Sequence, residues 1–239
     1  MFTLPEELIL LALDDEKGTV GRSSTTKERM IYALTTAILM ELLLANRIKV
    51  EKPERKFLIL RAPHGKVTVT DPTLTGDEIA DDALMRIQKH EKVKGAFYWI
   101  DKLGPVTVAS DSTMIDWSGK GSRFLSRLAA QGIILRKEHR TLGVISSPRF
   151  KLMDPAVKRQ LCEQIDQSLF QEAQPGRRQV MLIALVRACQ ILDGYYPDRS
   201  RRHLARHRAA DLQKADDETD FLIGELFKVR AAHDSVTVT

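Results

Sequence analysis

His203 and His207 stand four residues apart, a spacing that puts two imidazoles on one face of a helix where they could share a metal ion. They are surrounded by Arg199, Arg201, Arg202, Arg206 and Arg208 and have no third ligand nearby in sequence, so an exposed polar helix face is the better reading. Gly119-Lys-Gly121 lacks both the Gly-Lys-Ser/Thr spacing and the preceding strand of a phosphate-cradling loop. No Gly-x-Ser-x-Gly elbow is present, and the six histidines fall in no catalytic frame. Glu41 interrupts an apolar run, where desolvation would raise its pKa and could make it a proton donor. A carboxylate near a helix end more often bonds an arginine or backbone amides, and that structural role is preferred. These residues give no catalytic group, no metal site and no cofactor, and the chain reads as a non-enzyme.

Two basic features remain. The arginines between 199 and 208 surround most of a helix and could be a solvated surface, a phosphate-binding patch or a partner for the acidic run Asp216-Asp-Glu218, with solvated surface the default. Lys120, Arg123 and Arg127 lead into a hairpin whose tip is Leu142-Gly-Val-Ile145. Cations beside exposed apolar side chains suit an interfacial membrane binder, because attraction to acidic headgroups adds to burial of the tip. Leu142, Val144 and Ile145 are the expected membrane contacts.

The elements that must position these groups are organised around residues 30–45. That run is apolar on nearly every side, interrupted by Tyr32, Thr35, Thr36 and Glu41, and it must be surrounded by protein along most of its length. It is shorter than the ~20 residues a bilayer requires. Thr25-x-x-Glu28 before it and Thr3-x-x-Glu6 at the start of residues 8–13 read as capping boxes, and Asn46-Arg47 reads as a stop. Residues 56–60 and 66–70 read as two strands joined by Ala62-Pro-His-Gly65. Thr75 and Glu78 predict a third capping box ahead of a helix over 76–89, and Gly104-Pro105 predicts the end of a short helix begun near Phe97. Phe124, Leu125, Leu128 and Ala129 mark an amphipathic helix stopped by Gly132, followed by a hairpin over about 133–152. Asp154-Pro155, Pro175-Gly176, Asp198 and Asp216 open four further helices, and the tail from about 233 to 239 is expected to fray. The expected fold is mostly α, a single helical domain over 1–239 around a buried central helix, with two small β-hairpins.

Composition sets the frame. The 239 residues, 43% hydrophobic, are enough to bury a sizeable core, and the net charge of +5 tilts partners toward acidic surfaces. Cys162 and Cys189 lie in apolar helical patterns without CxxC spacing, which predicts reduced, buried thiols and a cytosolic compartment. The first residues, Met1-Phe-Thr-Leu-Pro-Glu-Glu7, are acidic where an export signal is basic, so membrane contact is expected to be peripheral.

Thr3-Leu-Pro-Glu-Glu-Leu8, Leu11-Ala-Leu-Asp-Asp-Glu-Lys-Gly18, Glu41-Leu-Leu-Leu-Ala-Asn-Arg-Ile48, Thr75-Gly-Asp77, Trp99-Ile100 and Leu128-Ala-Ala-Gln-Gly-Ile133 occur in the order and spacing of the Golgi phosphoprotein family. The chain resembles that family over nearly its whole length, as a divergent, bacterial-type member. The resemblance implies a lipid-dependent adaptor, not an enzyme, that binds phosphatidylinositol 4-phosphate and in eukaryotes works on the cytosolic face of the Golgi. The family's headgroup residues carry over poorly. Thr35 stands where the family has an arginine early in the central helix, the preceding loop has no tryptophan, and ungapped counting from Gly132 puts the other two arginines on Ser118 and Gly121. Lys120 and Arg123 lie close by as substitutes, with Arg127 one turn further on.

The leading reading is therefore a peripheral adaptor for a phosphoinositide or other anionic phospholipid. A rival takes residues 123–152 as a winged helix reading DNA, since a helix, a glycine and a basic hairpin carrying Arg136, Lys137, His139 and Arg140 share that layout. The glycine-broken stretch before Arg123 supplies no upstream helix pair, so nucleic acid is disfavoured. A third reading is a scaffold that binds a protein partner through the arginine-rich helix, and the hairpin also offers an edge through which two copies could pair.

Overall fold

The computed structural model describes residues 1–21, 24–52, 65–108, 123–141, 145–171 and 174–236, with side chains left undescribed at 24–28, 104–108, 138–141, 145–148 and 235–236. Its centre is helix α2 (Ser24–Leu44), packed against α1 (Leu4–Ala12), α3 (Glu78–Lys89), α4 (Ala96–Val108), α7 (Arg177–Ala188) and α10 (Asp217–Val236). Met30, Ala33, Leu34, Ala37, Ile38, Leu39, Met40 and Leu42 are all buried, as a helix without a sustained polar face requires. Thr35 and Thr36 sit among them at 0% exposure and turn their hydroxyls back onto the Ile31 and Tyr32 carbonyls, at 3.4 and 2.8 Å, so neither of these two hydroxyls is stranded.

Helix α1 is buried along its whole length and lies against α2 and α7. Glu6 accepts the Thr3 amide at 2.8 Å, which supplies the Glu half of the expected capping box. Helix α2 stops where expected: Asn46 takes φ +56°, and the amides of Asn46 and Arg47 bond back to the Leu43 and Leu42 carbonyls. Its proposed capping box at Thr25 and Glu28 lies outside the described side chains.

The first sheet differs from the expected hairpin. Residues 66–69 form β2 (Lys66–Val69), but the partner is β1 (Ile48–Glu51), with β3 (Lys94–Gly95) on the other side of β2. Ile48-Lys-Val-Glu51 alternates buried and exposed, so its pleat fits a sheet with one covered face, while residues 56–60 lie outside the described residues. Three other boundaries are corrected. Asp77, not Thr75, caps α3 by accepting the Ile79 and Ala80 amides, and the Thr75 hydroxyl turns instead to Asp81. Helix α4 runs through Gly104-Pro105 to Val108, its packing against α2 and α10 offsetting the lost donor and the crowding of the carbonyl four residues back that an interior proline brings. Helix α10 continues past residue 233 to Val236, held there by His233, which stacks on Tyr32 and bonds Asp101 at 2.6 Å.

Helix α5 (Arg123–Ala130) ends as expected at Gly132, φ +72°, and leads into the antiparallel hairpin β4 (Ile134–Thr141) and β5 (Ile145–Leu152). Asp154 caps α6 (Pro155–Phe170), whose Leu161, Ile165 and Leu169 are buried. Helix α8 (Leu192–Tyr195) and α9 (Arg199–Ala215) follow α7, and Ala205 and Ala209, both at 0% exposure, let α9 approach α7 closely.

Candidate functional site

The basic segment that the sequence singled out meets acids of α1 and α3. Arg127 reaches Glu6 through Nε at 2.7 Å, Asp77 through Nη1 at 2.6 Å and Thr3 Oγ1 at 3.4 Å. Glu6 and Asp77 are the residues already occupied with the starts of α1 and α3, so one guanidinium ties the first turns of two helices to α5. Burial works against the Arg127 charge, but Glu6 and Asp77 outweigh it and hold its pKa above the ordinary value. Arg123 bonds Glu78 at 2.6 Å and Asp82 at 3.2 Å. Both arginines thus position α5, and an anion reaching them would compete with carboxylates.

Of the other sequence-derived candidates, Thr35 is fully buried in α2. Ser118, Lys120, Gly121, Leu142 and Val144 lie outside the described residues, and Ile145 opens β5 opposite Thr141, with its side chain undescribed. The hairpin that carries the tip has two distinct faces. Ile134, Phe150 and Leu152 are buried, whereas Leu135 is 43% exposed and pairs in register with exposed Lys151, beside the pair Lys137 and Arg149. Met153, just beyond, is 55% exposed.

Glu41 takes the role preferred from sequence. Its Oε1 accepts the Leu4 amide at 2.5 Å and lies 3.6 Å from Arg178, which also bonds Glu7 at 2.8 Å and the Phe2 carbonyl at 2.7 Å. A cavity of about 260 Å³ opens beside it, walled by Thr3, Glu41, Asp77 and Phe124. Its carboxylates make it unsuited to an anion.

The arginine-rich helix is less free than a solvated surface would be. Arg201 bonds Asp166 at 2.8 Å and stacks over Phe170 and Tyr196, Arg202 bonds the Tyr196 carbonyl, Arg206 bonds Asp193, and Arg208 bonds the Leu169 carbonyl. These contacts clamp α9 onto α6 and α8. A cavity of about 420 Å³ between them is lined by Cys162, Asp166, Tyr196 and Arg201. Burial raises the Cys162 thiol pKa, and burial followed by the bond to Asp166 raises that of the Tyr196 hydroxyl, so neither is an activated nucleophile.

His203 and His207 are exposed with their Nε2 atoms 3.2 Å apart. Among the described residues no group of three or more His, Cys, Asp or Glu side chains could hold a metal ion, and no helix is long and apolar enough to cross a membrane. Sequence reasoning missed the acid partners of Arg123 and Arg127, which come from distant parts of the chain. It also missed a second convergence of arginines, on α2, α7 and α9, for which no local spacing gives a signal. Compared with known families, the chain matches the model described as Golgi phosphoprotein 3 (GPP34) over residues 4–231.

Proposed function

We propose that this chain, which belongs to the Golgi phosphoprotein 3 (GPP34) family, is a non-catalytic peripheral adaptor that meets anionic lipid headgroups through the α5 and β4–β5 region. The observation that carries this reading is the outward face of the hairpin, where Leu135 stands beside Lys151, Lys137 and Arg149. Apolar area supplies interfacial burial and the cations supply attraction to acidic lipid. Arg123 and Arg127, held by carboxylates, fix α5 in place, while Ser118, Lys120 and Gly121 are the proposed headgroup contacts and Leu142, Val144 and Ile145 the proposed membrane contacts. Membrane docking would take place at a cytosolic face, at the Golgi in a eukaryote.

A DNA-reading role for α5 is disfavoured. The helix is eight residues long, and both of its arginines are engaged by Glu6, Asp77, Glu78 and Asp82, leaving them no freedom to reach base edges.

Flotation with vesicles tests the proposal. Replacing Lys137, Arg149 and Lys151 together by glutamine should weaken binding to anionic vesicles by roughly two decades, at about 1 kcal/mol per cation, with a loss that shrinks at high salt. Replacing Leu142, Val144 and Ile145 should weaken it at every salt concentration. Thr35 stands buried where the family has arginine, so phosphatidylinositol 4-phosphate should be only weakly preferred over other lipids of equal charge. Duplex DNA bound more tightly than vesicles at the same ionic strength would refute the reading.

A further inference from the structure

Three guanidinium groups converge far from the hairpin. Arg29 near the start of α2, Arg187 at the end of α7 and Arg206 on α9 line a cavity of about 320 Å³, in which Asp193 of α8 is the one carboxylate among the lining residues. Arg206 is matched by that carboxylate, with Nε 2.8 Å from Oδ1 and Nη2 2.5 Å from Oδ2. The partners of the other two are neutral. Arg187 donates Nε and Nη2 to the Gln213 side-chain oxygen at 3.2 and 2.7 Å, and Arg29 donates Nη1 to the Ala188 carbonyl at 3.2 Å. Arg29 Nε is buried without a hydrogen-bond partner among the described residues.

Electrostatics agrees with this geometry. Burial, and after it the charge of Arg230, pushes the Arg29 pKa down against the opposing pull of Asp193 and Asp234, and burial outweighs Asp220 in doing the same for Arg187, so both cations are held where their charge is poorly solvated. Three cations and one carboxylate leave the wall with a net charge of about +2, since arginine stays protonated. A phosphomonoester carries roughly −1.5 to −2 near neutral pH and offers three acceptor oxygens to guanidinium forks. The cavity is at the small end of the ~300–1,000 Å³ usual for small-molecule sites, which favours a compact ligand.

We propose that the cavity between α2, α7, α8 and α9 binds a phosphomonoester dianion through Arg29, Arg187 and Arg206. The site shares no residue with the hairpin surface, and it stands or falls independently of the membrane reading.

The test is calorimetric titration of the full chain with inorganic phosphate at low ionic strength, paired with thermal melts. Saturable binding that raises Tm is expected. Arg29→Gln and Arg187→Gln should each weaken it by about tenfold or more, the loss of a charge-assisted hydrogen bond, while Lys89→Gln on α3 removes equal charge and should change nothing. Asp193→Asn raises the wall charge by one and should tighten binding several-fold, a gain that a merely structural role for these arginines would not produce. Phosphatidylcholine vesicles doped with phosphatidic acid or, at matched charge, phosphatidylglycerol separate the sources. A phosphatidic acid preference that vanishes with Arg29→Gln identifies a lipid headgroup as the donor of the phosphate. Phosphate binding through the same arginines without any vesicle dependence identifies a soluble phosphomonoester. No saturable phosphate binding, a titration unchanged in both arginine variants, or weakening by Asp193→Asn would overturn the proposal.

Discussion

Arg127 shows what a single charged residue does when its partners come from two other helices. Its guanidinium is about a quarter exposed, but Glu6, to which it bonds, is only 5% exposed. Arg127→Met therefore leaves a buried carboxylate without its cation, and the expected cost is about 2–3 kcal/mol, below the full value for a completely buried pair. Urea denaturation should show it, and Glu6→Gln in the same chain should recover part of the loss. Cysteine chemistry is set by burial in the same way. Cys189 is fully buried with its pKa pushed up to about 12, whereas Cys162 is partly accessible. Native-state alkylation followed by mass spectrometry should label Cys162 slowly and spare Cys189 until denaturant unfolds the chain. The burial of Cys189 was legible in the sequence, because it ends an apolar helical pattern. Cys162, expected to be buried on the same ground, is only half-buried, because it stands beside and not on the stripe of Leu161, Ile165 and Leu169. The role of Arg127 was not legible, because Glu6 and Asp77 stand 121 and 50 residues away and no local pattern encodes such pairings.

Helix ends decide how firmly each element is set. Gly132 holds φ +72° at the end of α5, and a Cβ there would meet nothing within 4 Å, so Gly132→Ala tests backbone strain alone. The expected cost is about 1 kcal/mol, read as a lower denaturation midpoint with unchanged slope. Asp216 caps α10 by accepting the Thr219 amide at 2.8 Å and also bonds Arg177 at 2.9 Å. Burial opposes its ionisation, but those bonds prevail and lower its pKa below 3.8. A depressed carboxylate contributes stability above its unfolded pKa that is lost as pH falls through the folded one. Asp216→Ala should thus cost about 1–2 kcal/mol near neutrality, and melts at decreasing pH should show the gap to the parent closing below about pH 4. The stops at Asn46 and Gly132 and the caps at Asp154 and Asp198 could be read directly, since each is local chemistry. Thr75 misled because Asp77, two residues on, offers the better acceptor to the same turn. Gly104-Pro105 misled because a helix packed against α2 tolerates a missing donor that an isolated one would not.

At the scale of the whole molecule, the apolar run at the centre of α2 announced the core, and the mostly helical architecture followed from it. What stayed hidden was which helices close around α2 and which cations their closure would bring together. The fully buried first helix shows what that closure demands in time. Glu7 of α1 is answered by Arg178, 171 residues later, and the Leu11 carbonyl by Tyr195, 184 residues later. At a synthesis rate of roughly 5–20 residues per second, a nascent chain would carry α1 for about 10–35 s before its counterpart left the ribosome. An apolar helix kept waiting that long is a natural client for a chaperone, and the last third of the chain, arriving late, converts a sticky intermediate into a finished core.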